Sequence, residues 1–226
     1  MPALTQHNHE ARMTRIWSRT SRAVAMTLAG LGLAACVEDA VLAPPPPNPA
    51  EVVHYWHFNA LPAGTLTAVA ADVSTLGGAE ITYPGTGAGY MDQVSPGSDL
   101  NAEVGTVAGL GLRPRNPANT RELIIVAPST GYEDLELSWA VQRSSAGAAQ
   151  EEVFYSVNGG TTWVAVGGVF AVSETWEVMT IDLAPIAAVD NLAGLRFRIL
   201  FTGAGADGAS GNHRIDNLKI TGVPIS

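Results

Sequence analysis

Two tyrosines and three arginines are the side chains best suited to hold a ligand. Tyr83 and Tyr90 bound the glycine-rich run Pro84-Gly85-Thr86-Gly87-Ala88-Gly89, and Arg113, Arg115 and Arg121 form a basic cluster about thirty residues on. Aromatic faces and planar guanidinium groups are what sugar or peptide ligands are gripped by. Tyr83, Tyr90, Arg113 and Arg115 are therefore the candidate ligand-binding residues. The plainer alternative is a long loop packed on the domain.

The catalytic inventory is thin. Beyond residue 50 the chain has His54, His57 and His213, with neither a G-x-S-x-G nucleophile elbow nor an H-E-x-x-H zinc motif. On a strand, His54 and His57 face opposite ways, so they do not form a two-histidine metal face. Glu133-Asp134-Leu135-Glu136 and Glu151-Glu152 supply carboxylates. Neighbours on a strand alternate faces, however, and read as solvated charges before they read as an acid/base pair. No catalytic residue is expected. Gly203-Ala204-Gly205-Ala206-Asp207-Gly208 spells G-x-G-x-x-G, but Ala209–Asn212 and a strand follow it where a dinucleotide site needs a helix.

The elements that must position these groups are strands. Leu135, Leu137, Trp139 and Val141 alternate with Glu136, Ser138 and Ala140. Leu195, Phe197, Ile199 and Phe201 alternate with Arg196 and Arg198, and Val153, Tyr155 and Val157 with Phe154 and Ser156. Further strands are expected over 52–58, 81–83, 123–127, 163–166, 176–183 and 214–220. Turn-forming residues cluster between them at 84–89, 114–120 and 203–212. Only 184–193 leaves room for a helical turn. The fold class is all-β, a two-layer antiparallel sandwich over 51–226. A domain of about 175 residues buries roughly 70% of its unfolded surface, enough for a core without disulfides.

Ahead of it stand two other segments. Arg12, Arg15, Arg19 and Arg22 precede the uncharged apolar stretch Ala23–Ala35, too short to span a bilayer and matched to a signal peptide over 1–35. Residues 36–50 contain Ala43-Pro44-Pro45-Pro46-Pro47-Asn48-Pro49-Ala50, a semi-rigid polyproline spacer.

Charge sharpens this division. The 226 residues carry 12 Lys+Arg against 21 Asp+Glu, a net charge of −9. Without the four leader arginines and Glu10 the balance is 8 against 20, or −12. Such acidity disfavours nucleic acid as a partner. The single cysteine, Cys36, excludes an intramolecular disulfide, Cys-rich zinc sites and CxxC redox chemistry.

Leu33-Ala34-Ala35-Cys36 resembles the lipobox of bacterial lipoprotein precursors. The resemblance implies cleavage before Cys36 and its acylation, hence a membrane anchor outside the cytoplasm; two or three acyl chains hold stably where one is marginal. It also implies the outer membrane if the cell is Gram-negative, since Val37 replaces the Asp that commonly signals inner-membrane retention. Ser156-Val157-Asn158-Gly159-Gly160-Thr161-Thr162-Trp163 resembles the Asp-box hairpin of sialidases and many secreted β-proteins, with Asn158 in place of Asp. It occurs once and implies a structural turn.

The first strand His54-Tyr55-Trp56-His57-Phe58-Asn59 and the last, His213-Arg214-Ile215-Asp216-Asn217-Leu218-Lys219-Ile220, resemble those of MAM-like and carbohydrate-binding jelly-roll modules. That likeness implies a jelly roll. It also implies a structural cation, Ca²⁺, on Asp216, Asn217 and Asn59, although Asp216 accepting backbone hydrogen bonds at the sandwich edge is the simpler explanation, a lone Asp being little toward a site that needs about 6–8 oxygens. No other cofactor is expected. The sequence thus points to a lipid-anchored, non-catalytic binding or adhesion module whose partner is a glycan or an envelope protein. The alternatives are a secreted polysaccharide hydrolase and a structural protein-interaction subunit.

Overall fold

A computed structural model describes residues 48–226. The expected signal peptide over 1–35, Cys36 and nearly all of the expected 36–50 spacer lie outside the described residues. The described residues form thirteen strands: β1 (Glu51–Trp56), β2 (Ala68–Ala70), β3 (Val73–Ser74), β4 (Glu80–Thr82), β5 (Met91–Val94), β6 (Gly111–Pro114), β7 (Leu123–Val126), β8 (Tyr132–Arg143), β9 (Gln150–Ser156), β10 (Val164–Ala171), β11 (Glu177–Asp182), β12 (Arg196–Thr202) and β13 (His213–Pro224). One 3₁₀ turn, Ala187–Val189, occupies the segment that the sequence reserved for it. Among the described residues no helix is long and apolar enough to cross a membrane.

The strands form the two-layer antiparallel jelly-roll sandwich. One sheet is ordered β11-β8-β13-β1-β3, with β6 beside the first part of β13 and β5 beside β6; the other is ordered β10-β9-β12-β7-β4-β2. The alternation seen in the sequence sets which face turns inward. Leu135, Leu137, Trp139 and Val141 of β8 meet Phe197, Ile199 and Phe201 of β12 in one core, all fully buried, with Trp56 and Phe58 beside them. Arg196, Arg198, Leu200 and Thr202 of β12 face outward.

Short connections align the two sheets end to end. Residues 127–131 join β7 to β8, and residues 144–149 join β8 to β9. One pole therefore carries the start of β1 and the end of β13, where Glu51 pairs with Gly222 and the Asn48 amide donates to Pro224 O at 3.0 Å. The opposite pole carries the starts of β7, β9 and β13 and the ends of β4 and β12. The long loops 84–90, 115–121 and 203–212 gather there.

Strands β2, β3, β5 and β6 exceed the sequence expectation. Each is two to four residues long. Met91, Asp92 and Arg113, outside every strand expected from the sequence, are paired in the β5–β6 ladder. Val157, expected on β9, lies in the turn after it.

Candidate functional site

Strands β5 and β6 run antiparallel, with Asp92 directly opposite Arg113. That register turns the basic cluster into a fork around one carboxylate. Arg113 donates through Nε to Asp92 Oδ1 at 2.8 Å and through Nη2 to Oδ2 at 2.9 Å. Arg115 donates through Nη2 to Oδ2 at 2.8 Å, with its Nε 3.1–3.2 Å from both oxygens. Burial pushes the Asp92 carboxyl up, but hydrogen bonds and charge from the two arginines outweigh it and hold the group below its usual range. Two guanidinium groups against one carboxylate leave one positive charge.

Arg115 also lies 5.2 Å from the Tyr90 ring centroid, a cation–π contact that props the half-exposed tyrosine on the sandwich end. Tyr83 has a different place. Its ring is buried, packs edge-on against Phe201 with centroids 5.9 Å apart, and carries Arg121 over it at 5.5 Å. Burial raises its phenol well above the usual value, against the nearby Arg121 charge. Arg121 in turn donates to Tyr83 O and Gly87 O, both at 2.9 Å, and so ties the glycine-rich loop down.

Between these groups opens a cleft of about 310 Å³, lined among others by Thr65, Thr67, Thr82, Tyr83, Tyr90 and Arg121. Both tyrosines singled out in the sequence thus meet in one cleft. Arg115 supports Tyr90, Arg113 shares Asp92 with it, and neither arginine lines the cleft. Asp92, the group that organises both arginines, has no sequence signature, because its role depends on a register that emerges only when β5 and β6 pair. The three threonines come from segments too short to show alternation.

Two of the candidate cation ligands, Asp216 and Asn217, sit on β13, in the same sheet as β5 and β6, and Asn59 lies in the turn after β1. At Asp216-Asn217, β13 is bulged, with Asn217 at φ 47°, where the strand exchanges β6 for β1 as its neighbour. Asp216 Oδ2 accepts from Ser98 N at 2.7 Å and Oδ1 from Asn217 N at 2.8 Å. Asn217 Oδ1 accepts from the Tyr55 hydroxyl at 2.7 Å, while Nδ2 donates to Ser98 O and Leu100 O. Asn59 Oδ1 accepts from Leu110 N at 2.8 Å, and its Nδ2 donates to Val107 O. The side-chain oxygens of all three residues are thus occupied by protein donors, and together they clasp the two ends of the loop between β5 and β6. No group of three or more His, Cys, Asp or Glu among the described residues is placed to hold a metal ion.

The Asn158 hairpin is built as its motif requires. Asn158 Oδ1 accepts from Thr162 N and from the Ser156 hydroxyl, both at 2.9 Å, and Ser156 Oγ accepts from Gly160 N at 2.9 Å. It joins β9 to β10 at the pole away from the cleft.

No protein-family model and no curated protein sequence matches the chain. Solved structures match in fold. The CBM22-1–CBM22-2 tandem domain of Paenibacillus barcinonensis Xyn10C superposes with a TM-score of 0.50 at 11% identity, covering 79% of this chain and 48% of that one. The single CBM22-1 xylan-binding domain of the same protein gives 0.45 at 12% identity over 74% and 99%. The family 11 carbohydrate-binding module of Lic26A-Cel5E from Clostridium thermocellum gives 0.42 at 12% identity over 79% and 98%.

Proposed function

We propose that this protein is a non-catalytic glycan-binding lipoprotein. Its sandwich is held outside the cytoplasm by acylated Cys36 and presents the Tyr83–Tyr90–Arg121 cleft to a carbohydrate ligand. One observation carries the reading. The cleft joins an aromatic ring, a planar cation and three threonine hydroxyls in a single concave site, the mixture of apolar face and directed polar groups that sugar rings need. Its one charged lining residue is Arg121, whereas glycoside hydrolysis by the common route uses two carboxylates. The fold shared with carbohydrate-binding modules supports the same class of ligand, and the leader and Leu33-Ala34-Ala35-Cys36 support the anchor.

The test is a glycan array probed with the detergent-solubilised full chain, followed by titration calorimetry on the sugars retained. Tyr90→Ala removes a half-exposed ring without opening the core, and is expected to lower affinity about tenfold, the effect of losing about 1.4 kcal/mol of stacking. Unchanged affinity would move the site elsewhere. Turnover of any retained polysaccharide would replace the binding module with an enzyme.

A further inference from the structure

A second cleft lies beside the first. It measures about 380 Å³ and is lined by Asn119, Leu200, Phe201, Thr202, Ala206 and Asp207 among others. Leu200, Phe201 and Ala206 give it apolar surface, and Asn119 and Asp207 bring an amide and a carboxylate. The loop that spells G-x-G-x-x-G supplies part of this lining.

The wall between the two clefts is one turn, Ala118–Arg121, closed by Arg121 N donating to Ala118 O at 3.1 Å. Ala118 and Asn119 line one cleft and Arg121 the other. The same turn holds the outer wall of each. Ala118 N and Asn119 N donate to Ala206 O at 2.8 and 3.1 Å, fixing the 203–208 loop. On the other side Thr86 N donates to Thr120 O at 3.1 Å, and Thr120 Oγ1 to Thr86 O at 2.8 Å. Gly85 passes so close that a Cβ there would stand 2.3 Å from Thr120 O, at a φ of 149°.

The turn leads into β7, which lies between β4 and β12. Thr82 at the end of β4 lines the first cleft, and Leu200 and Thr202 of β12 line the second. Strands two places apart in a sheet are separated by about 10 Å. One sugar ring fills one cleft and does not reach the other; a chain of rings does.

We infer that the two clefts are subsites of one extended site, and that the ligand is a linear glycan of several linked units lying across the 118–121 turn. This rests on the glycan-binding reading. Filling both subsites with one chain makes the second contact intramolecular, so affinity rises with chain length until both are occupied. The turn that fixes both outer walls also pre-forms the site, which reduces the ordering cost of binding.

The experiment uses the detergent-solubilised full chain and a glycan array on which each linear chain is present at one to six units, with calorimetry on the retained series. Affinity is expected to increase about tenfold or more from the single unit to the spanning length and then level off. Tyr90→Ala and Asp207→Ala should each weaken the long chain, whereas only one of them should weaken the single unit. Asn119→Ala repeats the second arm from a different residue. Equal affinity for one unit and for the long chain overturns the extended site and leaves the binding module standing. So does full long-chain affinity in both Asp207→Ala and Asn119→Ala when Tyr90→Ala destroys it. Retention of no glycan by the wild-type chain overturns the binding module, and the extended site with it.

Discussion

Glu151 and His213 face each other across the core from opposite sheets, Oε1 and Nε2 3.9 Å apart, and neither atom has a hydrogen-bond partner. Trp139 Nε1 donates to the other Glu151 oxygen at 3.1 Å, and the His213 ring stacks on Phe201 with centroids 4.3 Å apart. Burial pushes the Glu151 carboxyl up to about 8, assisted by Glu177 and opposed by the Trp139 hydrogen bond. Burial also pushes His213 down to about 3, with the Arg143 charge adding to the effect. Both groups are thus neutral in the folded protein near pH 6.

The consequences for stability have opposite signs. Glu151 has a raised folded value, so its contribution is complete below about 4.5 and is lost as pH rises to about 8. Asp216, pushed by burial to about 7 against the Ser98 and Asn217 amides, behaves likewise up to that pH. His213 has a lowered value, so its contribution is complete above 6.5 and is lost only as pH falls toward 3; the lowered His54 acts in the same direction. Between pH 6.5 and 8 the two histidines are silent and the carboxyls remain. Urea midpoints should therefore fall across that window, with a slope of up to about 1.4 kcal/mol per pH unit for each proton. Glu151→Gln keeps an oxygen for Trp139 and should flatten the slope. A Glu151→Gln profile parallel to the wild type would remove Glu151 as its source.

At the scale of elements, the hairpin from β9 to β10 depends on the Asn158 side chain. Its Oδ1 holds Thr162 N and the Ser156 hydroxyl, and its Nδ2 donates to Thr162 Oγ1 at 2.9 Å. Asn158→Ala strips three hydrogen bonds from a partly exposed turn and should cost about 1–2 kcal/mol in urea unfolding. Asn158→Asp keeps the acceptor oxygens and should fold within about 0.5 kcal/mol of the wild type. Equal losses from both would show that the amide donor, and not the acceptor, organises the turn. This hairpin was legible in the sequence because its information is local: Asn-Gly-Gly between two alternating runs. The long strands were legible for the same reason, since β8 and β12 each alternate over at least seven residues. The cleft was legible only in part. Tyr83 and Tyr90 announce themselves by type, but Asp92 acquires its role from an inter-strand register. Arg121 acquires its role by crossing to the carbonyls of Tyr83 and Gly87, and of the threonines Thr65 and Thr67 precede β2 while Thr82 ends a strand too short to carry a period.

For the whole molecule, the described residues place the entry into β1 and the two clefts at opposite poles of the sandwich. The chain enters β1 at Glu51, beside Pro224 and Tyr132, whose hydroxyl donates to Glu51 Oε1 at 2.6 Å. Both clefts lie at the other pole, beside the ends of β4 and β12 and the approach to β7. Residues 48–51 thus join the sandwich at the end away from the clefts. On the proposed function, the anchoring segment joins one pole and the ligand the other, so anchoring and binding are separable. Cys36→Ser, expressed as the full chain in a bacterium that processes lipoproteins, should move the protein from the detergent phase to the aqueous phase of a Triton partition. Its affinity for the retained glycan should stay unchanged. Mass spectrometry of the wild type should find the mature N-terminus at an acylated Cys36. A free thiol at Cys36 in the membrane fraction would remove the lipid anchor, and a glycan affinity lost together with the anchor would mean that the two poles do not act independently.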